Sequence, residues 1–135
     1  MTRINLVQPS ELTDQHLIAE YREIFMVGGS LNRTLNSKGG YKESKVPNRY
    51  TLNSGHVYFF YNKGKYLHKR YKQLITEMRK RGFKPDSTRV FPTSVFVDNG
   101  LYNDWMPNPN DYKIIRQRIE ERIASKPNWY RTTTY

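Results

Sequence analysis

The chain has 135 residues, with 23 Lys and Arg against 12 Asp and Glu, which gives a formal net charge of +11 at pH 7. It contains no cysteine, and this excludes disulfides, thiol catalysis and thiolate metal sites. No apolar run approaches the roughly 18 residues of a membrane span, and the first residues lack the apolar core of a signal peptide. We therefore expect a single cytoplasmic domain over residues 1–135 that is not secreted, binds no membrane and has a polyanion as its partner.

The first predicted helix runs from about Ser10, its expected N-cap, into the mid-20s and ends near Gly28 and Gly29. Apolar residues at helical spacing predict its core-facing side, which comprises Leu17, Ile18, Tyr21, Ile24 and Phe25. The opposite arc is mostly polar and comprises Leu12, Gln15, His16, Ala19, Arg22, Glu23 and Met26. Such a helix is expected to pack one face on the core and leave the other for solvent or a ligand.

Two further amphipathic helices are predicted in the second half of the chain. One begins at Asn62 and ends at Gly82, because glycine suits the position after a helix. Its apolar stripe comprises Leu67, Tyr71, Leu74, Ile75 and Met78. The other follows Asn110 as N-cap and runs to about Ser125, with Pro127 beyond its end. Its stripe comprises Tyr112, Ile115, Ile119 and Ile123.

The connections between these helices are predicted to be irregular. Residues 28–55 are rich in Gly, Asn, Ser and Lys, and residues 84–110 contain several prolines. The apolar run 57–61 is compatible with a short strand, but no partner strand is evident, so we interpret it as a core segment leading into the second helix. Three amphipathic helices with long loops predict an all-α fold.

Positive charge is concentrated in two segments. Residues 62–84 contain nine Lys and Arg against the single acid Glu77, and residues 113–131 contain six against Glu120 and Glu121. Clustered cations bind nucleic acid better than scattered ones, because each neutralised phosphate releases counterions. The alternative is that these are solvated helix faces kept basic for solubility, but so large an excess favours a nucleic-acid partner.

The sequence supports little metal or phosphate-loop chemistry. His16, His56 and His68 are far apart and form no HxxxH motif, and the glycine pairs lack the strand-to-helix context of a phosphate loop. We expect neither a metal nor another cofactor.

Two groups near the start of the chain can perform amine chemistry. Removal of Met1 would leave an α-amine on Thr2, which titrates near pH 8 and is neutral far more often than a lysine amine. On residue type alone, Thr2 is more often simply the second residue of an ordinary chain. Glu23 shares the polar arc, where a carboxylate would weaken phosphate binding. Either it has a catalytic purpose or it forms a surface ion pair with Arg22 or a lysine.

Specific sequence segments resemble a known family. They are MTRINL at 1–6, Glu11-Leu12, DQHL at 14–17, AEYRE at 19–23, GHV at 55–57, FFY at 59–61, KRGF at 80–83, and Pro127 with Trp129-Tyr130. Together they resemble the bacteriophage pyrimidine-dimer DNA glycosylase family, also called endonuclease V. The similarity spans nearly the whole chain, with small insertions and deletions in the loops.

The resemblance implies an all-α, metal-free DNA repair enzyme with three helices and an aromatic C-terminal segment. It would bind ultraviolet-damaged double-stranded DNA as a monomer, kink the duplex and flip out a base opposite the lesion. The Thr2 α-amine would attack C1′ under the 5′ base of a cyclobutane pyrimidine dimer and form an imine. β-Elimination would then cut the strand at the abasic site. Glu23 would be the essential acid that stabilises the cationic intermediate.

The resemblance also implies a set of DNA-binding residues. Those that match family residues around the lesion or its phosphates are Arg3, Gln15, His16 and Arg22. Those that match the basic third helix and the aromatic tail are Arg118, Arg122, Trp129 and Tyr130.

The chain departs from the family pattern in three places. Phe25-Met26 stands where close members have Pro-Arg, the loop 28–50 is distinct, and the tail 131–135 replaces a more aromatic segment. These departures keep open a relative that acts on another lesion, on undamaged DNA or on RNA. A DNA-binding protein without enzymatic activity is a third possibility, which the joint presence of Thr2 and Glu23 disfavours.

Overall fold

A computed structural model describes residues 3–135, which form five α-helices and two short 3₁₀ turns, with no β-strand in that range. The helices are α1 (Asp14–Leu35), α2 (His56–Phe59), α3 (Gly64–Lys80), α4 (Thr93–Val97) and α5 (Pro109–Ser125). The 3₁₀ turns are Pro9–Glu11 and Glu43–Lys45. The predicted all-α fold with three main helices is confirmed, since α1, α3 and α5 are the long ones. None of the helices in residues 3–135 is long and apolar enough to span a membrane.

Helix α1 begins later and ends later than predicted. Its N-cap is Thr13 rather than Ser10, because the Thr13 hydroxyl oxygen accepts the His16 backbone N–H at 3.1 Å. The helix also continues through Gly28 instead of ending there. A Cβ on Gly28 would lie 2.2 Å from Cγ of Pro92, so this glycine permits the segment before α4 to cross α1 closely. The buried stripe therefore extends to Leu31.

Helices α3 and α5 follow the prediction closely. Gly82 lies just beyond α3 with a φ of 87°, the left-handed conformation that glycine adopts without strain. The N-cap of α5 is Asn108 instead of the predicted Asn110, because Asn108 and Asp111 form a capping box. Each side chain accepts the other residue's backbone N–H at 2.9 Å.

Two segments predicted to be irregular or extended contain short helices. Residues 57–61 include most of α2, and the fully buried Phe60 follows it into the core. Helix α4 lies within the proline-containing connection 84–110. Neither helix exceeds five residues, so neither carries the long periodic pattern by which a helix is recognised in sequence.

The core is built on α1, which contacts both α3 and α4. Aliphatic side chains of α1 and α3 meet buried rings contributed by α2, α4 and the loops. The fully buried members include Leu17, Ile24, Leu31, Leu67, Leu74, Phe60 and Phe96. This packing makes α1 the central element, and Gln15, His16 and Ala19 of its polar arc face the site described next. The placement of Leu12 on that arc is wrong, because Leu12 precedes α1 and is buried in the core.

Candidate functional site

A pocket of about 220 Å³ opens where four parts of the chain meet: the N-terminal segment, the start of α1, the middle of α5 and the C-terminal residues. We call it the arginine pocket, and it is lined by Arg3, Asn5, Gln15, His16, Ala19, Arg118, Ile119, Arg122, Trp129 and Tyr130. It contains every DNA-binding residue expected from the resemblance except Arg22, which is exposed and does not line it. Residues more than a hundred positions apart are thus brought to one site.

The N-terminal segment is fixed by hydrogen bonds into the protein interior. The Ile4 N–H donates to Nε2 of His56 at 2.9 Å, and the Tyr50 hydroxyl donates to the Ile4 carbonyl at 2.6 Å. Arg3 Nε donates to the Leu52 carbonyl at 2.8 Å. These bonds hold Arg3 at the pocket. Thr2, the expected nucleophile, lies outside the described residues.

His56 serves this anchoring as a neutral imidazole. Burial lowers its pKa to about 4, although the bond to the Thr51 carbonyl opposes the shift. Because Nε2 accepts the Ile4 N–H, the ring proton resides on Nδ1 and is donated to the Thr51 carbonyl at 2.7 Å. His56, which sequence analysis gave no role, therefore supports the start of the chain.

A buried ion pair holds the next residues. Arg70 of α3 donates Nε and Nη2 to the two carboxylate oxygens of Glu20 at 2.7 and 2.9 Å, and Glu20 is 0% exposed. The same carboxylate accepts the Asn5 N–H at 3.1 Å. Arg70 Nη1 also donates to the carbonyls of Leu6 and Val7 at 3.1 and 2.5 Å. This bonding stabilises Leu6 in a left-handed conformation, with a φ of 60°.

Arg81 is buried in a second carboxylate network. It donates to Asp14 at 3.0 Å and to Glu77 at 2.9 Å. Arg70 and Arg81 both belong to the basic segment 62–84, yet neither is available to a polyanion. The expectation that this segment acts as a DNA-binding patch is therefore wrong for these two residues, because their charges are neutralised inside the fold.

The C-terminal segment, residues 129–135, is bonded to the start of α1. The Asp14 N–H donates to the Arg131 carbonyl at 2.7 Å, while Thr133 donates its N–H and hydroxyl to the Asp14 carboxylate at 3.0 and 2.6 Å. Burial alone would raise the pKa of Asp14, but the Thr133 bonds together with the hydrogen bond and charge of Arg81 leave that pKa lowered. Gln15 donates to the Trp129 carbonyl at 2.6 Å and accepts the Arg131 N–H at 3.1 Å. Gln15 thus positions the C-terminal segment.

This segment places two aromatic rings on the pocket wall. Tyr130 stacks on His16 with ring centroids 4.8 Å apart and planes 8° from parallel. Trp129 packs edge-on against Tyr130 and remains half exposed. Burial, followed by the charges of Arg118 and Arg122, lowers the pKa of His16. Exposed aromatic faces of this kind stack on unpaired bases.

Three arginines give the pocket its charge. Burial lowers the pKa of Arg118, and the nearby charges of Arg122 and Arg3 lower it further. No carboxylate is among the lining residues. Cations held together in this way attract phosphate, and guanidinium groups suit it geometrically.

Glu23 borders the pocket. It follows the lining residue Ala19 by four positions on α1, which places both on one helix face. Glu23 is about half buried, and burial raises the pKa of its carboxyl although the charge of Arg3 opposes this. Within residues 3–135, neither Arg22 nor a lysine forms an ion pair with Glu23, so the alternative of such a surface pair is wrong.

Besides His56 and the Glu20–Arg70 pair, sequence reasoning missed two polar residues that matter here, Asn5 and Asp14. Asn5 lies within the MTRINL motif and lines the pocket, whereas Asp14 lies in DQHL and holds the C-terminal segment. The signal that could have identified them is that both lie within motifs that carry the family resemblance. Among residues 3–135 no group of three or more His, Asp or Glu side chains could hold a metal ion.

A protein-family model described as "Pyrimidine dimer DNA glycosylase" matches residues 1–90 of the 135. The match includes the N-terminal segment, α1, α2 and α3. It therefore covers Arg3, Gln15, His16 and Glu23, while the α5 arginines and the C-terminal aromatic pair lie beyond it.

Proposed function

The chain belongs to the pyrimidine dimer DNA glycosylase family, whose members are DNA-binding repair enzymes, and we propose that it cuts dimer-containing duplex DNA by an amine-dependent glycosylase and lyase reaction. The observation that carries the proposal is the arginine pocket, which joins cations and exposed aromatic rings beside the half-buried acid Glu23. Groups that can bind a phosphate, stack on a base and exchange a proton at the sugar therefore lie at one site.

In the proposed reaction the Thr2 α-amine, freed by removal of Met1, attacks C1′ of the 5′ nucleotide of the dimer. The C1′–N1 bond breaks with its electron pair on the base, which takes up a proton. The attacking neutral amine gives up one proton, and O4′ takes up one proton as the sugar ring opens, giving a protonated imine with one N–H. Loss of a C2′ proton then expels the 3′ phosphate and cuts the strand.

Glu23 has the role of the acid in this scheme. Burial raises the pKa of its carboxyl, which favours proton exchange closer to neutral pH than an exposed glutamate allows. Once ionised, the carboxylate stabilises the positively charged imine. A carboxamide at this position would do neither.

The DNA-binding roles follow from the lining of the pocket. Arg3, Arg118 and Arg122 bind phosphates of the damaged strand, and Arg22 contributes from the exposed side of α1. Trp129 and Tyr130 support a kinked duplex with one base flipped out. His16 and Gln15 hold this aromatic pair in place. Because the pocket needs residues from Arg3 to Tyr130, residues 1–135 act as one domain, which we propose works as a monomer.

Borohydride trapping on duplex carrying a single thymine dimer tests the amine mechanism. We expect a covalent protein–DNA adduct with protein whose Met1 has been removed, as verified by mass measurement, and none with protein whose α-amine has been acetylated. Glu23→Gln should still bind the duplex but not cleave it. An adduct of equal yield on acetylated protein, or full cleavage by Glu23→Gln, contradicts the mechanism.

Lys63 provides the matched control amine. Burial lowers its pKa to about 8, so it is the described lysine best suited to compete as a nucleophile. It lies over the Phe59 ring and donates to the Phe59 carbonyl at 2.8 Å. Lys63→Arg should leave trapping unchanged, whereas loss of the adduct would assign the chemistry to that lysine.

A second candidate function is cleavage of a different lesion, of undamaged DNA or of RNA. It is favoured by Met26, whose 60% exposed side chain replaces the arginine of close family members. Rates on irradiated duplex, unirradiated duplex and RNA of one sequence distinguish the candidates. Salt-sensitive binding without scission of any of them would instead indicate a DNA-binding protein without enzymatic activity.

A further inference from the structure

The side chain of Asn5 presents an unusual polar group in the arginine pocket. Asn5 lines the pocket and is 3% exposed, and its amide nitrogen Nδ2 is buried with no hydrogen-bond acceptor within residues 3–135. Its backbone N–H, by contrast, is bonded to Glu20. The backbone of Asn5 is therefore held by a hydrogen bond, while the N–H groups of its side-chain amide have no acceptor.

Unused buried donors are rare in folded proteins, because removing an N–H from water without a new partner costs free energy. In the described part of the chain the Tyr71 hydroxyl is the other side-chain group of this kind. Tyr71 is not among the lining residues of the pocket, so the coincidence of an unused donor with a binding site is particular to Asn5. Such a donor is retained at a site where a bound ligand supplies the acceptor.

The surroundings of Asn5 indicate which acceptor it meets. The pocket that it lines contains the apolar side chains of Ala19 and Ile119 as well as the guanidinium groups of Arg3, Arg118 and Arg122. The guanidinium groups suit phosphate, whereas a neutral amide donor suits a neutral acceptor, such as a carbonyl oxygen of a pyrimidine ring. The terminal torsion of asparagine is soft, so a small rotation turns Nδ2 from the wall into the pocket.

We propose that Asn5 is a specificity-determining residue that donates a hydrogen bond from Nδ2 to a pyrimidine carbonyl oxygen of the damaged base. This inference rests on the proposed function and deepens it, since it assigns recognition of the base to a residue distinct from the phosphate-binding arginines. A site built to bond a polar group of its substrate discriminates strongly against a substrate that lacks it.

The test compares two duplexes of one sequence, one with a thymine dimer and one with an abasic site at the position of the 5′ thymine. Asn5→Leu keeps the shape of the side chain and removes the donor. We expect its kcat/KM to fall about tenfold on the dimer duplex, the loss of one neutral hydrogen bond, and to stay within about twofold of the wild type on the abasic duplex. Asn5→Ala also removes the donor but leaves a smaller side chain. It should likewise lose activity on the dimer duplex and keep it on the abasic duplex.

Thermal unfolding of the variants separates recognition from structure. Asn5→Leu should have a Tm no lower than that of the wild type, because an apolar group replaces an unsatisfied polar one. Tyr71→Phe is the matched control, since it removes the other unused polar atom away from the pocket, and it should leave both activities unchanged.

Three results would overturn the assignment. Equal losses on both duplexes would mean that Asn5 acts on the sugar, the phosphate or the fold. Unchanged activity on the dimer duplex would mean that its amide is not used, and failure of both variants to fold would make Asn5 a structural residue. If instead the wild-type protein cleaves the abasic duplex but not the dimer duplex, the proposed glycosylase function itself fails and takes this inference with it.

Discussion

Two sets of arginines in this protein have opposite surroundings. Arg70 and Arg81 are buried in the fold, and each is bonded to carboxylates at 3.0 Å or less. Arg3, Arg118 and Arg122 instead line an open pocket whose described lining includes no carboxylate side chain, although Arg3 also donates to the Leu52 carbonyl. The first set stabilises the position of the N-terminal segment and of α1. In the second set, burial and then the charges of Arg122 and Arg3 lower the pKa of Arg118.

The difference shows that the net charge of +11 is a poor measure of how the protein meets DNA. Positive charges inside the fold are cancelled by Glu20, Asp14 and Glu77, so they add nothing to the field at the surface. The arginine pocket instead brings three guanidinium groups to one open site. We therefore expect phosphate binding to depend on these arginines more than on the total charge.

The largest expected effect comes from breaking the buried set. Glu20→Gln leaves Arg70 buried without a counter-charge, so the free energy of unfolding should fall by about 3–5 kcal/mol. Urea denaturation measures this change. Glu11→Gln is the control, because the Glu11–Arg116 pair is about half exposed and its loss should cost about 1 kcal/mol or less. Similar small losses in both variants would contradict the distinction.

Breaking the pocket set should impair binding and leave the fold intact. The double variant Arg118→Gln/Arg122→Gln should lower the slope of log K against log salt by about two, one for each lost phosphate contact. Its free energy of unfolding should fall much less than in Glu20→Gln, because neither substitution leaves a fully buried charge without its counter-charge. Arg116→Gln, on the same helix but not lining the pocket, should leave the salt slope unchanged. Salt titrations of duplex binding provide the measurement.

A smaller effect is expected at Asp14, whose carboxylate is bonded both to the buried Arg81 and to the C-terminal segment that lines the pocket. Thr133→Val removes the hydroxyl that donates to the Asp14 carboxylate and should cost about 1 kcal/mol of stability. Because the same segment carries Trp129 and Tyr130, KM for dimer duplex should rise more than kcat falls. Thr134→Val is the control, since Thr134 is exposed, and a matching rise in KM there would exclude a specific role for Thr133.

The smallest effect concerns how the free energy of unfolding depends on the ionisation of Glu23. Its raised pKa means that the folded state binds the proton more tightly than the unfolded state. The free energy of unfolding should therefore decline as pH rises from the unfolded pKa, near 4.3, through the folded value. Glu23→Gln removes this decline, so at pH 7 the inactive variant should be at least as stable as the wild type. Thermal unfolding at several pH values checks this, and a less stable variant at pH 7 would contradict it.

Local sequence patterns predicted the long helices well and their boundaries less well. Apolar residues at helical spacing, followed by Gly82, predicted α3 correctly, because both features are local in the sequence. The extension of α1 through Gly28 depends on Pro92, far along the chain, and no local pattern shows that contact. The choice of Asn108 over Asn110 as N-cap likewise depends on reciprocal bonding with Asp111.

The site was predicted by motif resemblance more than by pattern. Residues such as Arg118 and Tyr130 were placed at the site because their motifs match the family, and the structure brings them into one pocket. Whether they bind DNA as expected stays a prediction. The pairing of Glu20 with Arg70, fifty residues apart, could not be read from charge counts, which treat every acid and base as exposed.

The anchoring of Ile4 and Asn5 has a consequence for amide hydrogen exchange. Residues this close to position 1 commonly fray and exchange their amide hydrogens within seconds. Here both backbone N–H groups are buried and bonded, to His56 and to Glu20. We expect them to exchange only when the whole protein unfolds, as slowly as the amides of α1. The backbone at Ile4 and Asn5 would then remain in place for as long as the fold itself exists.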